Sequence, residues 1–480
     1  MAADSPLGPS DLLRAAAART PQSLALVAAN RRFDFAQLDG LVTQAALALR
    51  QRGVRTGDRV ALRLATGTDF VLLYLGALRA GLVAVPVNPA YTTAEVDHIL
   101  GDSGAALHLD TATARDLLAG APSGADPMLD RGGEELAVLL YTSGTSGLAK
   151  GAMLSSRALL ANLDQLAAVQ PPLLTAADVL FVPLPLTHVF GLNPGLGMAL
   201  RTGATLVLAD RFDAGPSLAI MAAERVTALL GVPGQYAAWL VHPAMHDGFA
   251  SVRFAMSGST TLARGVVDGF AAAGVIVHDG YGLTEAAPVV TLNALGSGRS
   301  APAQGSVGTE LPGVEVELRD ADGAEVDDGD PGRIFVRGAN LFSGYWPEGE
   351  GGPGEDGWFG TGDIALADDA GQLRLVGRSS ELVIVNGFNV YPAEVEAVLA
   401  AQPGVAEVAV VGVEDPVTGE AVRAYVVPSP GVAVQVDELM SAAATSLARF
   451  KLPREIEIVD ALPRTVTGKI MKWQVGRAAD

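Results

Sequence analysis

Between Tyr141 and Gly151 the chain gathers four aliphatic hydroxyls, three glycines and a lysine, in the order Tyr-Thr-Ser-Gly-Thr-Ser-Gly-Leu-Ala-Lys-Gly. This is the chemistry of a phosphate binder. Gly144 and Gly147 let the backbone approach an anion, Thr142, Ser143, Thr145 and Ser146 offer hydroxyl donors, and Lys150 supplies positive charge for a polyphosphate. The spacing is not that of a Walker loop, because Gly151 rather than Ser or Thr follows Lys150. Taken alone, the stretch also suits a plain surface turn.

The elements that would hold such a loop are legible around it. The apolar run Leu136–Leu140 predicts a buried strand feeding the loop, and Ser155–Val169 predicts a helix after it. Upstream, residues 10–52 carry helical patterns closed by Gly53. Then come a strand at 59–64, a helix at 72–80, a strand at 83–87, a helix at 93–103 and a strand at 106–109. A Gly/Pro/Asp-rich linker covers 119–133. Downstream, strands are expected near 179–182, 205–208, 228–232, 254–257 and 275–278, each followed by a sharp turn. The prolines after Val182 put His188 on a loop or at a helix start. Ligands of open α/β sheets bind beyond strand C-termini, where Gly231-Val232-Pro233, Ser257-Gly258-Ser259 and Tyr281–Glu285 would converge. From Gly305 the texture changes to short alternating β runs, and from Leu382 to a small α+β domain of about a hundred residues.

Composition narrows the function. The 480 residues are 49% apolar with 56 glycines and 28 prolines, which fits a globular α/β protein of several units. A formal charge of −20 argues against nucleic acid or an anionic membrane as the main partner. The absence of cysteine removes disulfides, thiolate metal sites and a cysteine nucleophile. Met1–Pro6 lacks the charged start and apolar core of a signal peptide, and Phe70–Val87 is too broken by Arg79, Gly76, Gly81 and Pro86 to span a membrane, so a cytoplasmic location is expected. Against the acidic background, Arg449–Arg477 holds seven Lys or Arg and three Asp or Glu, a reversal that suits an anionic ligand. His242 and His246 do not make a metal pair: Pro243 interrupts a helix between them and no glutamate completes the motif.

The loop at 141–151, Gly280-Tyr281-Gly282-Leu283-Thr284-Glu285, Phe359-Gly360-Thr361-Gly362-Asp363, Gly377-Arg378 and Thr467-Gly468-Lys469 occur in this order. Together they resemble the adenylate-forming superfamily, and most closely its acyl-CoA synthetases, over residues 10–475. The resemblance implies a large N-terminal adenylation domain of stacked, mainly parallel α/β sheets with a small β-barrel-like unit (1–377). It also implies a hinge (378–380) and a small mobile α+β domain (381–480). It implies two half-reactions, in which ATP and a carboxylic acid give an acyl-adenylate and a thiol then takes the acyl group. By position in the family pattern, Thr142–Lys150 would hold the β- and γ-phosphates, Glu285 Mg²⁺, and Thr284 the α-phosphate. Tyr281 would stack on the adenine, and Ser257, Gly258, Gly280 and Gly282 would be further nucleotide-binding residues. Asp363 and Arg378 would hold the ribose, and Lys469 would bridge the forming bond. Such chemistry needs cations, because a carboxylate attacking a phosphate must overcome anion repulsion.

His188 matches the position beside the carboxylate substrate. The region lacks the acid that amino-acid-activating members use to hold an ammonium. With Val189, Phe190, Val232, Pro233 and Val289 as the remaining pocket candidates, an aliphatic or aryl acid is expected, a fatty acid foremost. Gly387, Phe388 and Asn389 resemble the loop that lines the pantetheine channel of CoA ligases, so CoA is the expected acceptor. A carrier-protein phosphopantetheine is the alternative. Two departures stand out: Ala149 replaces the usual proline before Lys150, and Ser380 occupies a hinge position usually filled by Asp or Lys.

Overall fold

The computed structural model describes residues 8–29, 31–127, 132–142, 149–293, 305–327, 329–386, 388–464 and 470–476. The chain divides into two compact units, 1–316 with 336–359, and 317–335 with 360–480. The expected hinge residues 378–380 fall within the second of these units.

In the larger unit, one sheet joins β1 (Leu24–Ala28), β2 (Arg31–Asp34), β8 (Val179–Val182), β9 (Thr205–Leu208), β10 (Ala228–Gly231), β11 (Phe254–Ser257), β12 (Val277–Gly282), β13 (Val289–Leu292) and β14 (Ser306–Glu310). Their order is β2-β1-β9-β8-β10-β11-β12-β13-β14. The six strands from β1 to β12 in that order run parallel, and β2, β13 and β14 are antiparallel additions. After β8 the chain goes first to β9 on one side and then across to β10 on the other. The loops beyond β8 and β10 therefore diverge, which opens a crevice at a topological switch point.

The second sheet of this unit has the order β5-β3-β4-β6-β7, from β3 (Arg59–Leu62), β4 (Val83–Pro86), β5 (Leu107–Leu109), β6 (Leu136–Thr142) and β7 (Lys150–Ser155). Only β7 is antiparallel, folding back on β6 with Tyr141 opposite Gly151 and Thr142 opposite Lys150. The expected phosphate loop thus lies between two paired antiparallel strands. Its residues 143–148 lie outside the described residues.

The helical patterns of residues 10–52 form two helices, with a hairpin between them that the patterns do not show. Helices Pro9–Arg19 and Phe35–Gln51 flank the β1–β2 hairpin, since the apolar run Leu24–Ala28 buries as an interior strand beside β9. An aromatic cluster under β10–β12 packs Tyr236, Trp239, Phe249 and Phe270 with ring centres 5.0–5.8 Å apart. Each such pair adds about 1 kcal/mol beyond its burial. The cluster reaches the strand ends directly: Tyr236 donates its hydroxyl to Met256 O at 2.9 Å.

The smaller unit has its own core of Val383, Val395, Leu399, Val410, Val422, Val426, Leu439 and Ile456. Its sheet orders Phe388–Val390, Val383–Val385, Gly419–Pro428 and Val405–Asp415, with Glu455–Ile458 added in parallel to Gly419–Pro428. Strands Phe359–Ala367 and Leu373–Arg378 form an antiparallel hairpin with Asp363 opposite Arg378.

Candidate active site

At the base of the 141–151 hairpin, Lys150 is exposed and its Nζ lies 5.4 Å from the ring centre of Tyr345. The same tyrosine donates its hydroxyl to Glu285 Oε1 at 2.6 Å. Tyr345 therefore joins the expected phosphate-binding lysine to the expected metal-holding carboxylate. Sequence reasoning missed it, because Tyr345 and Glu285 are far apart in the chain and no local pattern links them.

Glu285 sits in a 3₁₀ turn, Thr284–Ala286, that leads from β12 to β13. Three buried asparagines fix this corner. Asn340 Nδ2 donates to Ala286 O at 2.8 Å, and Asn193 Nδ2 donates to Ala287 O at 2.7 Å. Asn162 spans both polar groups of Val289, donating to its carbonyl at 2.8 Å and accepting from its N–H at 3.2 Å. Unpaired, these buried peptide groups would each cost about 1–3 kcal/mol. The corner also needs a residue without a side chain at Gly282, where a Cβ would lie 2.2 Å from Pro288 O. Ala287 adopts φ +62°, a left-handed conformation costing about 1 kcal/mol, and the Asn193 bond helps hold it.

Among the residues expected to line the acyl pocket, His188 Nδ1 accepts from Phe190 N at 3.3 Å, so the ring proton resides on Nε2. Desolvation lowers the His188 pKa, which leaves a neutral ring with an N–H to donate. Phe190 opens a π-helical stretch, Gly191–Gly197, and its ring carbons stand 3.1–3.6 Å from the position a Cβ on Gly258 would take. Val189, Phe190 and Val289 are buried. Val232 and Pro233, half-buried, begin the helix after β10. Gln235 ties that helix to the loop after β8 through Nε2 to Pro183 O at 2.7 Å.

At the end of β11, Ser257 Oγ is fully buried and has no hydrogen-bond partner among the described residues. Buried hydroxyls are normally satisfied, and one left open beside Gly258 suits a polar ligand edge. Gly280 and the buried Tyr281 follow on β12. One residue before them, burial pushes the Asp279 carboxyl up to about 7, against the opposing hydrogen bonds from the N–H groups of Leu262 and Gly280.

In the smaller unit, Arg378 Nε pairs with Asp363 Oδ1 at 3.0 Å, so the two expected ribose residues are neighbours. Ser380 is exposed in the turn Ser379–Glu381. Phe388 is 54% exposed and stacks on Phe450 at 4.6 Å, and Asn389 beside it is exposed. Gly387 and Lys469 lie outside the described residues. Lys472, three positions after Lys469, pairs with Glu396 at 2.8 Å and Glu381 at 3.1 Å. Desolvation opposes its charge, but the two carboxylates outweigh it and raise its pKa.

The basic excess of 449–477 is used differently from the expectation. Lys451, Arg454, Arg464 and Lys472 pair with Glu394, Asp415, Glu407 and Glu396 within the unit. Much of the local positive charge is thereby neutralised internally, which weakens it as a sign of an anionic ligand.

Residues 13–346 match the AMP-binding enzyme family, and residues 394–469 match the AMP-binding enzyme C-terminal domain. The chain is 36% identical over 476 residues to a feruloyl-CoA synthase of an Amycolatopsis species, covering 95% of this chain and 96% of that protein. It is 32% identical over 484 residues to a long-chain-fatty-acid–CoA ligase of Yersinia pestis, covering 88% and 85%. The crystal structure of ATP-bound MatB from Rhodopseudomonas palustris superposes with a TM-score of 0.89 at 34% identity, covering 97% of each chain. Fold and relatives together define an AMP-forming acid–thiol ligase, which uses ATP to make an acyl-adenylate and then an acyl-CoA. The chain belongs to the AMP-binding enzyme family, within its acyl-CoA synthetases. Among the described residues, no helix is long and apolar enough to cross a membrane.

Proposed function

We propose that this ligase activates a carboxylate whose body is apolar and carries no second charge, a fatty acid in the first reading, and passes it to free CoA. The observation that carries the site assignment is the convergence of Lys150 and Glu285 on Tyr345. Lys150 and Thr142 hold the β- and γ-phosphates, and Thr284 contacts the α-phosphate. The acid's oxygen attacks the α-phosphorus and diphosphate leaves; the CoA sulfur then attacks the acyl carbon and AMP leaves. Glu285 fits Mg²⁺: a single carboxylate anchored by a hydroxyl, with phosphate oxygens and water completing the shell, is a usual arrangement for that ion. When bound, Mg²⁺ would neutralise phosphate charge. Asp363 and Arg378 hold the ribose, Tyr281 and Ser257 face the base, and Lys469 offsets the charge of the approaching carboxylate.

The neutral His188, with its proton on Nε2, gives the substrate carboxylate a hydrogen bond without a fixed charge. The rest of the pocket set, Val189, Phe190, Val232, Pro233 and Val289, supplies no partner for a second charged group, whose burial unpaired would be costly. A second reading, an aryl acid, is favoured by the Phe190 ring beside Gly258, where a flat ring could stack, and by the likeness to the feruloyl-CoA synthase. The test is AMP release with CoA across straight-chain, aryl, dicarboxylic and amino acids, with a holo carrier protein replacing CoA in a parallel series. Straight-chain acids with free CoA should give the highest kcat/KM. A dicarboxylic or amino acid as best substrate, or activity with the carrier alone, would overturn the proposal.

A further inference from the structure

Helix Thr93–Ser103 carries two side chains, His98 and Asp102, that reach the two stems of the 141–151 hairpin from one face. His98 Nε2 lies 2.9 Å from Ala149 O, on the stem leaving the loop. Because a carbonyl only accepts, His98 is the donor in this bond. Asp102 Oδ2 accepts the Tyr141 hydroxyl at 2.5 Å, on the stem entering it. The rings of His98 and Tyr141 meet edge to face at 6.3 Å. Trp346 closes the arrangement, donating Nε1–H to Asp102 O at 2.9 Å and its backbone N–H to Gly151 O at 2.8 Å.

We propose that His98 and Asp102 are positioning residues for ATP: by holding the residue before Thr142 and the residue before Lys150, they fix where those two groups meet the phosphates. The inference rests on the assignment of Thr142 and Lys150 to the phosphates. His98 holds the carbonyl of the very residue, Ala149, that replaces the usual proline. Without the ring of a proline to stiffen the approach to Lys150, this chain holds that approach by a hydrogen bond from outside the hairpin.

The test compares His98→Leu, His98→Gln, Tyr141→Phe and Lys150→Ala by steady-state AMP release, varying ATP, acid and CoA in turn, alongside melting curves. His98→Leu should raise the KM for ATP about tenfold, with KM values for acid and CoA unchanged, as expected for loss of one positioning contact. His98→Gln, whose amide nitrogen can replace Nε2, should stay within about twofold of the parent. Tyr141→Phe removes only a hydroxyl and should raise the KM for ATP about threefold, which keeps the test open if His98→Leu does not fold. An unchanged KM for ATP in both His98→Leu and Tyr141→Phe, or a parallel rise in all three KM values, overturns the proposal. If Lys150→Ala raises the KM for ATP while the other variants do not, the positioning role alone fails. If Lys150→Ala leaves it unchanged, the phosphate assignment fails and the positioning role with it.

Discussion

Tyr345 donates its hydroxyl to Glu285 Oε1 at 2.6 Å, from a residue 60 positions later in the chain. The bond selects one orientation of the carboxylate and leaves its second oxygen for a cation. Tyr345→Phe should therefore raise the magnesium concentration needed for half-maximal rate by about tenfold, the scale of losing one hydrogen bond to a charged group. Diphosphate release measured against magnesium at saturating ATP and acid checks this. An unchanged magnesium dependence would dissociate Tyr345 from the metal-holding role given to Glu285.

Asn193 donates to Leu159 O at 3.0 Å as well as to Ala287 O. Asn193→Leu leaves both carbonyls buried without that donor and should cost about 2–4 kcal/mol in urea unfolding. Asn193→Asp should be worse near neutral pH, since an ionised carboxylate would face the carbonyls. A loss below about 0.5 kcal/mol in Asn193→Leu would show that the corner at 286–289 does not depend on this amide.

Asp279 gives the protein a pH dependence of definite sign. Its folded-state pKa of about 7 lies above the unfolded value, so the folded chain binds more protons between roughly pH 4 and pH 7, and stability falls as pH rises through that window. Asp279→Asn cannot ionise and can still accept from Leu262 N. It should raise the unfolding free energy from urea titration at pH 8, by an amount on the order of 4 kcal/mol at most and with a matching rise in midpoint, and leave both nearly unchanged at pH 4. Equal midpoint shifts at both pH values would contradict the raised pKa.

The two half-reactions should separate by mutation. Lys469→Ala is expected to suppress adenylate formation by about a hundredfold or more, yet leave thioester formation from supplied acyl-AMP nearly intact. Gly387→Trp is expected to do the reverse by blocking the thiol path. Ser380→Pro should slow the full cycle more than either isolated step, if 378–380 is the pivot between them. Equal loss of both steps in Lys469→Ala and Gly387→Trp would sink the two-state cycle for this chain.

Sequence patterns recovered the elements best where a full amphipathic period or a proline stop was present. The helix at 93–103 begins and ends as the pattern predicts, and the strand before Pro183 ends at Val182. The β1–β2 hairpin was hidden because Leu24–Ala28 is short and flanked by helical periodicity. Strand Lys150–Ser155 was hidden because Gly151, Ala152 and Met153 carry weak strand preference, and its pairing with β6 decides the outcome. Within the site, motif residues such as Glu285 were singled out only through the family resemblance of the ordered motifs. Asn162, Asn193, Asn340, His98 and Tyr345 were not: each acts through contacts to residues distant in the chain, and a single polar residue making such contacts leaves no periodic trace.

Segment 336–359 has a consequence for synthesis order. It supplies Asn340, Tyr345 and Trp346, and its Phe342 N–H bonds Glu285 O at 2.8 Å. A nascent chain therefore makes the Glu285 corner well before it makes the residues that brace it. At the ordinary rate of about 5–20 residues per second, the 60 residues between Glu285 and Tyr345 correspond to a wait of roughly 3–12 s. Throughout that interval the larger unit is unfinished, and a ribosome stalled before residue 340 would hold a chain whose corner at 284–289 lacks its last supports.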